Sequence, residues 1–294
     1  MVDRYRFIET EKATYPVAFL CKVLGVSRSG FYAWRQRPPS HRSQVDCALT
    51  ACIVAIHRES HRTYGVPRVH AELQEQGNRV GRNRVWRLMR AAKLAGRVRG
   101  RRSVTTTISD PSASPAPNIV EQQFDQPGPD RLWVGDITYV PTKEGWLYLA
   151  VLLDAWSRRV IGWAMADHLR TELPLAALQM ALAGRRPAPG QLVHHTDRGG
   201  QYTSEAYGAV LRSRAITPSM SRRGNCYDNA LAESFFGSFK AEAMPLDGWA
   251  SRTEAERAIF SWLEVFYNRR RRHSSLGYRS PVDYETQQRS NQAA

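Results

Sequence analysis

The chain has 294 residues, which is long enough for about two domains that each bury a hydrophobic core. Its 42% hydrophobic and 23% charged residues exclude a chain that is disordered throughout. The sequence contains no run of about 18 to 20 apolar residues that would cross a bilayer, and its charged first residues differ from a secretory signal. We therefore expect a cytoplasmic protein without a membrane partner.

The net charge of +15 belongs almost entirely to the N-terminal part of the chain. Residues 1–110 contain 21 Lys and Arg against 8 Asp and Glu, whereas residues 111–294 contain 21 against 19. A basic surface also serves solubility, but an excess confined to one region favours a module that neutralises phosphates. The charge distribution therefore predicts that the N-terminal part binds DNA.

A first helix-turn-helix-like segment is predicted over residues 1–40. Apolar residues recur at helical spacing before Gly25, which permits a tight turn, and Ser27 is a good N-cap for the next helix. That second helix carries Arg28, which we assign to DNA binding.

A second basic helical domain, also helix-turn-helix-like, is predicted over residues 41–102. Its last helix places Val85, Leu88 and Met89 on one face. The arginines that we assign to DNA binding on this helix are Arg82, Arg84 and Arg87. A plain helical hairpin with solvated arginines is the alternative, but two such units in one basic region favour DNA binding.

The remaining chain divides by composition into a linker, a core and a C-terminal segment. Residues 103–130 are rich in Ser, Thr and Pro and predict a linker. Residues 131–245 alternate strand and helix patterns, which predicts a mixed five-stranded sheet with helices on both faces. The predicted strands are Leu132–Val140, Trp146–Leu153, Arg159–Met165, Gln191–Thr196 and Ile216–Ser221.

Residues 246–294 predict one helix followed by a basic tail that contains Arg269–Arg272. Two interpretations of this tail stay open: it contacts DNA or a partner subunit, or it is simply solvated.

Three carboxylates stand at positions that suit a shared site. Asp136 lies inside a strand, where an unpaired charge is costly to bury, and Asp197 follows the end of another strand. Glu233 lies in the last predicted helix of the core. Taken singly, they could be an edge-strand charge, a turn residue and a surface helix residue.

The helix that carries Glu233 presents a stripe of polar groups. Asn229 lies four residues before Glu233 and Lys240 lies seven residues after it, so all three share one helical face. Phe235 and Phe239 are then available to face the core.

Neighbouring carboxylates repel one another unless divalent cations neutralise them, and their hard oxygen ligands suit Mg²⁺ or Mn²⁺. Two such ions about 3.5–4 Å apart can clamp the attacking and leaving oxygens of a phosphoryl transfer. Lys240 would then hold a DNA phosphate.

Other carboxylates compete for the metal-binding roles. Asp154 is followed by a turn, and Asp228 is better placed to cap the last helix of the core. We expect Glu205 and Glu242 to be surface residues.

Four strings carry a resemblance to a known family. They are WVGDITYV, HHTDRGGQYTS, SMSRRGNCYDNALAESFFGSFKAE and YNRRRRHSSLGYRSPVDYE. The chain resembles the second-frame (OrfB) transposases of the bacterial two-frame "IS-three" insertion-sequence family, which have a DDE integrase catalytic core and are more distantly similar to retroviral integrases. The resemblance covers nearly the whole chain and implies an α/β core of the ribonuclease-H-like type behind the all-α modules.

The resemblance also implies the chemistry. Asp136, Asp197 and Glu233 would be the metal-binding catalytic triad, and Lys240 the basic residue that follows it. An activated water would cut the element's end, and the exposed 3′-hydroxyl would attack a second phosphodiester. The partners would be the element's terminal repeats and target DNA, in bacterial cytoplasm at the nucleoid, with a homo-oligomer that is at least a dimer.

One departure from the family is that the chain opens directly with second-frame-like sequence, so a first-frame partner or a fused form is expected. A DNA-binding regulator or accessory subunit and a general nuclease on the same fold stay as alternatives. A covalent Ser or Tyr recombinase is disfavoured, because no nucleophile has a recognisable activating cluster.

Overall fold

The computed structural model describes residues 1–97, 115–223, 225–245 and 247–293. Contacts divide the chain into two compact units, Met1–Val54 and Ala55–Ala294. The predicted linker lies outside the described residues up to residue 114, and its remainder contains no helix or strand.

The first unit is helical, as its sequence predicts. Its helices are α1 (Val2–Glu11), α2 (Val17–Val23), α3 (Arg28–Gln36) and the first part of α4 (His41–Glu59). Gly25 has a φ of +61° in the turn before α3, and the Ser27 hydroxyl accepts a hydrogen bond of 3.0 Å from the Gly30 N–H. The predicted turn and N-cap are therefore both present. Tyr5 and Ile8 of α1 pack with Leu20 and Phe31, so that α1 shares a core with α2 and α3.

The second unit begins with the end of α4 and the helices α5 (Val66–Glu75) and α6 (Arg82–Ala91). Val85, Leu88 and Met89 are buried on α6, as their spacing predicts. The predicted domain boundaries remain predictions, but helices α5 and α6 belong to the same compact unit as the sheet.

The sheet of the second unit has five strands in the order β3-β2-β1-β4-β5. The strands are β1 (Leu132–Thr142), β2 (Gly145–Asp154), β3 (Val160–Ala166), β4 (Val193–Thr196) and β5 (Thr217–Met220). The first three pair antiparallel, whereas β4 pairs parallel to β1 and β5 parallel to β4. This arrangement confirms the predicted mixed sheet.

Helices cover both faces of the sheet. They are α7 (Glu172–Gly184), α8 (Glu205–Ser213), α9 (Ala230–Glu242) and α10 (Arg252–Phe260). Trp133, Ala150 and Leu152 form one core cluster with residues of α7 and α8. The next residues along β2 point to the opposite face, where α9 and α10 contact β1 and β2. Because both faces are covered, the last six residues of β2, from Leu149 to Asp154, are all buried.

The C-terminal segment corrects the prediction of one helix and a basic tail. After α10 it continues as a π-helix, Ser261–Tyr267, and ends in a further helix, α11 (Pro281–Ala293). Arg271 and Arg272 are buried rather than solvated. A buried guanidinium needs partners, and Arg272 finds them in Glu72 and in the Tyr278 carbonyl oxygen.

The side chain of Glu242 keeps 6% of its surface exposed, which corrects its assignment as a surface residue. Arg271 donates two hydrogen bonds to its carboxylate, of 2.7 and 2.6 Å, and Arg68 lies 3.5 Å away. Glu205, in contrast, is exposed as predicted and pairs with Arg212.

Helix α11 is attached through Glu285 to the turn between β2 and β3 and to the end of α7. Its buried carboxylate accepts hydrogen bonds from Ser157 (2.7 Å) and Arg159 (2.8 Å), and it also pairs with Arg185. Although burial favours the neutral acid, these partners hold the pKa of Glu285 below its ordinary value. Among the described residues, every helix is too short or too polar to span a lipid bilayer.

Strand β3 and helix α7 touch at Gly162, and this contact gives a stability prediction. A Cβ at residue 162 would meet the Ala177 carbonyl oxygen and lie 2.9 Å from the Ala181 Cβ. Replacement Gly162→Ala should lower the free energy of unfolding by about 1–3 kcal/mol, because backbone atoms of α7 cannot move aside locally. Chemical denaturation measures the difference.

The matched control is Gly184→Ala at the end of α7, where an added Cβ meets nothing within 4 Å. It should be neutral or stabilising by up to about 1 kcal/mol. Equal effects of the two substitutions would contradict the close packing at Gly162.

Candidate active site

Asp136 lies on β1, the central strand of the sheet, and its side chain is half-buried. Its Oδ1 accepts a hydrogen bond of 2.8 Å from the Ile137 N–H. Burial raises the pKa of Asp136 well above its ordinary value, and the charges of Asp197 and Glu233 raise it further, against an opposing effect of Lys240. The structure therefore brings all four side chains into one electrostatic neighbourhood.

Asp197 directly follows β4, whose parallel pairing with β1 aligns Val134 with His195. Parallel neighbours end at the same edge of a sheet, so this register places Asp197 beside Asp136. The Oδ1 of Asp197 accepts a hydrogen bond of 3.0 Å from the Gly199 N–H, which closes the turn after the strand. These contacts fix the carboxylate at the strand end.

Gly135 is required at its position by the neighbouring strand. A Cβ there would lie 2.9 Å from Cε1 of His194. The glycine that precedes Asp136 therefore makes room for a buried imidazole between β1 and β4.

Glu233 and Lys240 are both exposed on α9, whereas Phe235 and Phe239 are buried on its other side, as predicted. Partial removal of its carboxylate from water raises the pKa of Glu233. Asn229 differs from the prediction, because it is buried at the start of α9 and its Oδ1 has no hydrogen-bond partner. The exposed stripe thus contains the carboxylate and the ammonium but not the amide.

Among the described residues, no three Asp, Glu, His or Cys side chains already enclose a point where a metal ion would fit. The carboxylates of Asp197 and Glu233 are nevertheless close enough to Asp136 to raise its pKa. Closer approach of three like charges needs a cation between them.

Asp228 is fully buried and anchors the connection between β5 and α9. Arg222 donates hydrogen bonds from Nε (2.9 Å) and Nη2 (2.8 Å), and Gln122 donates one from Nε2 (3.1 Å). The hydrogen bonds from Arg222 are the main reason why the pKa of Asp228 lies well below its ordinary value. Its predicted role as a helix cap is wrong, because its side chain is committed to Arg222 and Gln122.

His195 links the same connection to the sheet. Its Nε2 lies 2.8 Å from the Asp228 carbonyl oxygen, and its Nδ1 lies 2.9 Å from the Ser219 hydroxyl. The imidazole therefore joins β4, β5 and the start of α9. We call His195, Asp228 and Arg222 the polar hub; sequence reasoning missed it, although two histidines inside a strand were a signal.

Asp154 is structural, in agreement with its predicted place before a turn. Its buried carboxylate accepts hydrogen bonds of 3.0 Å from the N–H groups of Trp156 and Ser157, and one of 2.8 Å from the N–H of Asp130. All these donors are backbone groups of adjoining loops.

The four arginines assigned to DNA binding lie on two helices. Arg28 is exposed on α3 of the first unit, Arg82 and Arg87 are exposed on α6, and Arg84 is partly buried there. Their contacts with DNA remain predictions.

Known families match most of this chain. Residues 126–226 match an integrase core domain, and residues 214–281 match a second family with the same description. Residues 44–102 match an HTH-like domain.

The chain is 41% identical over 284 residues to the transposase InsF for insertion sequence IS3A of Escherichia coli strain K12, a match that covers 96% of this chain and 98% of the relative. It belongs to the IS3 family of transposases. The chain is also 43% identical over 265 residues to a 31 kDa protein of insertion element IS600 from Shigella sonnei, covering 90% and 97% of the two chains. The resemblance to the IS3-type second-frame transposases is thereby confirmed.

Two solved structures are similar to this transposase at low identity. A simian T-cell lymphotropic virus intasome in complex with PP2A regulatory subunit B56 gamma matches with 16% identity and a TM-score of 0.43, over 79% of this chain and 74% of that one. The HTLV-2 integrase catalytic core domain in complex with magnesium matches with 18% identity and a TM-score of 0.38, over 53% and 97%.

The transposase should lose stability in acid partly through His194. This side chain is buried, with Nε2 2.8 Å from the Tyr207 hydroxyl, and burial lowers its pKa from 6.5 to about 4. Below pH 6.5 His194 is protonated in the unfolded chain but stays neutral in the folded chain. The free energy of unfolding should therefore fall as the pH drops from 6.5 to about 4, by roughly 1.4 kcal/mol per pH unit at most.

Urea denaturation of the native chain and a His194→Gln variant at pH 7.5 and pH 4.5 isolates this contribution. The native chain should lose more stability between the two values than the variant does. Equal losses would show that His194 is not the titrating group.

Proposed function

We propose that this transposase cuts and joins DNA at the ends of its insertion sequence, with Asp136, Asp197 and Glu233 as catalytic residues. The observation that carries the proposal is the placement of the three carboxylates: Asp136 on the central strand β1, Asp197 at the end of its parallel neighbour β4, and Glu233 on α9, which contacts β1. Perturbed carboxylates that converge in an enzyme core are candidates for function. Membership of the IS3 transposase family supports the same assignment.

The donor set fits divalent cations. Three carboxylates offer hard oxygen ligands, and their mutual repulsion is relieved by positive charge. We propose that Asp136, Asp197 and Glu233 hold Mg²⁺ or Mn²⁺, two ions in all. When bound, such ions stabilise negative charge on a phosphodiester and make a bound water or hydroxyl more nucleophilic.

The protein would also bind the DNA strand on which the two transfer steps occur. Lys240 is exposed on the same helix as Glu233 and would bind a phosphate of the DNA strand. In the first step a water oxygen bonds to phosphorus, the P–O3′ bond breaks and a 3′-hydroxyl leaves. In the second step this hydroxyl attacks another phosphodiester, whose own P–O3′ bond breaks. The polar hub would keep α9 in register with β4 throughout.

The substrates would be double-stranded DNA at the terminal repeats and at the target. The HTH-like domain match and the basic N-terminal part support DNA binding through Arg28, Arg82, Arg84 and Arg87. Synapsis of two ends requires at least a dimer, and a first-frame partner or fused form would supply further end recognition. Bacterial nucleoid association would follow from these partners.

The test uses labelled duplexes made from the DNA that flanks the gene, with Mg²⁺ or Mn²⁺. Replacement Glu233→Gln should reduce cleavage and joining by more than about 100-fold, because the cation contribution to a phosphoryl transfer is several kcal/mol. Binding of the duplex should change little, since the exposed side chain is nearly isosteric.

The matched control is Glu205→Gln, an exposed helical glutamate on α8. It should leave both binding and chemistry unchanged. Metal-dependent joining that survives Glu233→Gln would refute the triad, whereas degradation without joining would indicate a nuclease.

A DNA-binding regulator is the second candidate, favoured by the basic excess of residues 1–110. It predicts that the native chain binds end duplexes but shows no metal-dependent chemistry even when fused to the upstream reading frame. Chemistry in the fused form that Glu233→Gln abolishes would exclude it.

A further inference from the structure

A cavity of about 460 Å³ lies beside α9, next to the candidate active site. Ser234 and Ser238 of α9 line it, together with Phe124 from the segment before β1 and Ser275 from the C-terminal segment. Ser234 directly follows Glu233, and one residue is about 100° of helical rotation. The lining of this site, which we call the α9 cavity, therefore includes the residue next to Glu233.

The charged groups that line the cavity favour an anion. Arg68, Arg158 and Arg271 contribute three guanidinium groups, and the lining contains one carboxylate, that of Asp125. Asp125 is fully exposed and lies 3.6 Å from Arg158. The carboxylate of Glu242, outside the lining, accepts a hydrogen bond from Arg271 and lies 3.5 Å from Arg68, so that three guanidinium groups stand against two carboxylates. The side chains of Arg68 and Arg158 keep 26% and 22% of their surface exposed, so both can reach a ligand.

The same cavity has an apolar wall and several hydroxyl groups. Phe124 is half-buried there, and Leu231 and Phe235 border it from α9. Ser234 and Ser275 are exposed at its lining. Burial lowers the pKa of His273 well below its ordinary value, with Arg271 acting in the same direction, so the lining imidazole is a neutral hydrogen-bonding group.

We propose that the α9 cavity binds a single nucleotide, with the phosphate at Arg158 and Arg68 and the base against Phe124. Its volume lies within the range of about 300–1,000 Å³ for small-molecule sites, and guanidinium groups, hydroxyls and an aromatic face match the three parts of a nucleotide. That this nucleotide belongs to a DNA strand rests on the proposed function. A free mononucleotide offers the same chemistry.

Two variants change the cavity, one by filling it and one by removing a charge, and neither removes a contact that holds the fold. Ser275→Tyr adds bulk at an exposed lining position. Arg158→Gln removes a side chain whose ion pair is with exposed Asp125, while the backbone N–H and carbonyl of residue 158 keep their bonds to Asp154 and Tyr267. The control is Arg214→Gln, an exposed arginine at the end of α8.

Binding is measured on the full chain in EDTA, so that no catalysis contributes. The probes are a fluorescent end duplex with unpaired terminal nucleotides and dAMP alone. Both cavity variants should weaken binding of the duplex by about tenfold, as loss of a charge-assisted hydrogen bond would, with the thermal midpoint and the Arg214→Gln control unchanged.

The two probes distinguish the sources. If dAMP binds the native chain and Ser275→Tyr abolishes that binding, the cavity accepts a free nucleotide; if only the duplex responds, its nucleotide belongs to the DNA strand. Unchanged binding of both probes in both variants overturns the proposal, and a misfolded Ser275→Tyr leaves Arg158→Gln to decide. If the cavity variants lose binding while the Glu233→Gln variant still cuts and joins DNA, the proposal for the α9 cavity stands and the catalytic triad is refuted.

Discussion

The central constraint on this transposase is the placement of Asp136 in the middle of its sheet. Burial and the nearby charges of Asp197 and Glu233 all favour the protonated acid. Each carboxylate that is ionised raises the free energy of ionising the next one. The N–H of Ile137 and the ammonium of Lys240 act in the opposite direction. A divalent cation bound beside this central strand would relieve the repulsion, and the folded chain would gain stability from binding it. The proposed chemistry follows from that same gain.

The rest of the second unit holds these charges in place. Parallel pairing of β1 and β4 aligns two of the carboxylates, and the Gly199 N–H closes the turn beneath Asp197. The third is carried on α9, whose start is tied to β4 and β5 by His195 and to the preceding connection by Asp228 and Arg222. Buried polar groups of this kind specify one arrangement, because each lost partner leaves a desolvated donor or acceptor.

Much of this architecture is predictable because it depends on local patterns. The pattern of apolar residues predicts the five strands, and Ser27 predicts the start of a helix; the structure contains all of them. Several of the errors share one physical origin, since they concern charged residues whose partners are distant in the sequence. Glu242 and Arg271 look like surface charges until they are paired across 29 residues, and Glu285 looks like part of a tail until Arg185 is beside it. Asn229 lies on the predicted helical face but is buried by tertiary contacts, which helical periodicity does not describe.

The most direct test of the central claim is the thermal stability of the full chain with and without Mn²⁺ at constant ionic strength. A cation that binds only the folded state raises the unfolding midpoint as its concentration increases. The native chain should show this rise. The Asp136→Asn variant should be at least as stable without metal, because one repelling charge is gone, and should respond little to Mn²⁺. Equal responses of the two chains would contradict the account, since the metal would then bind without the carboxylate on which the site is built.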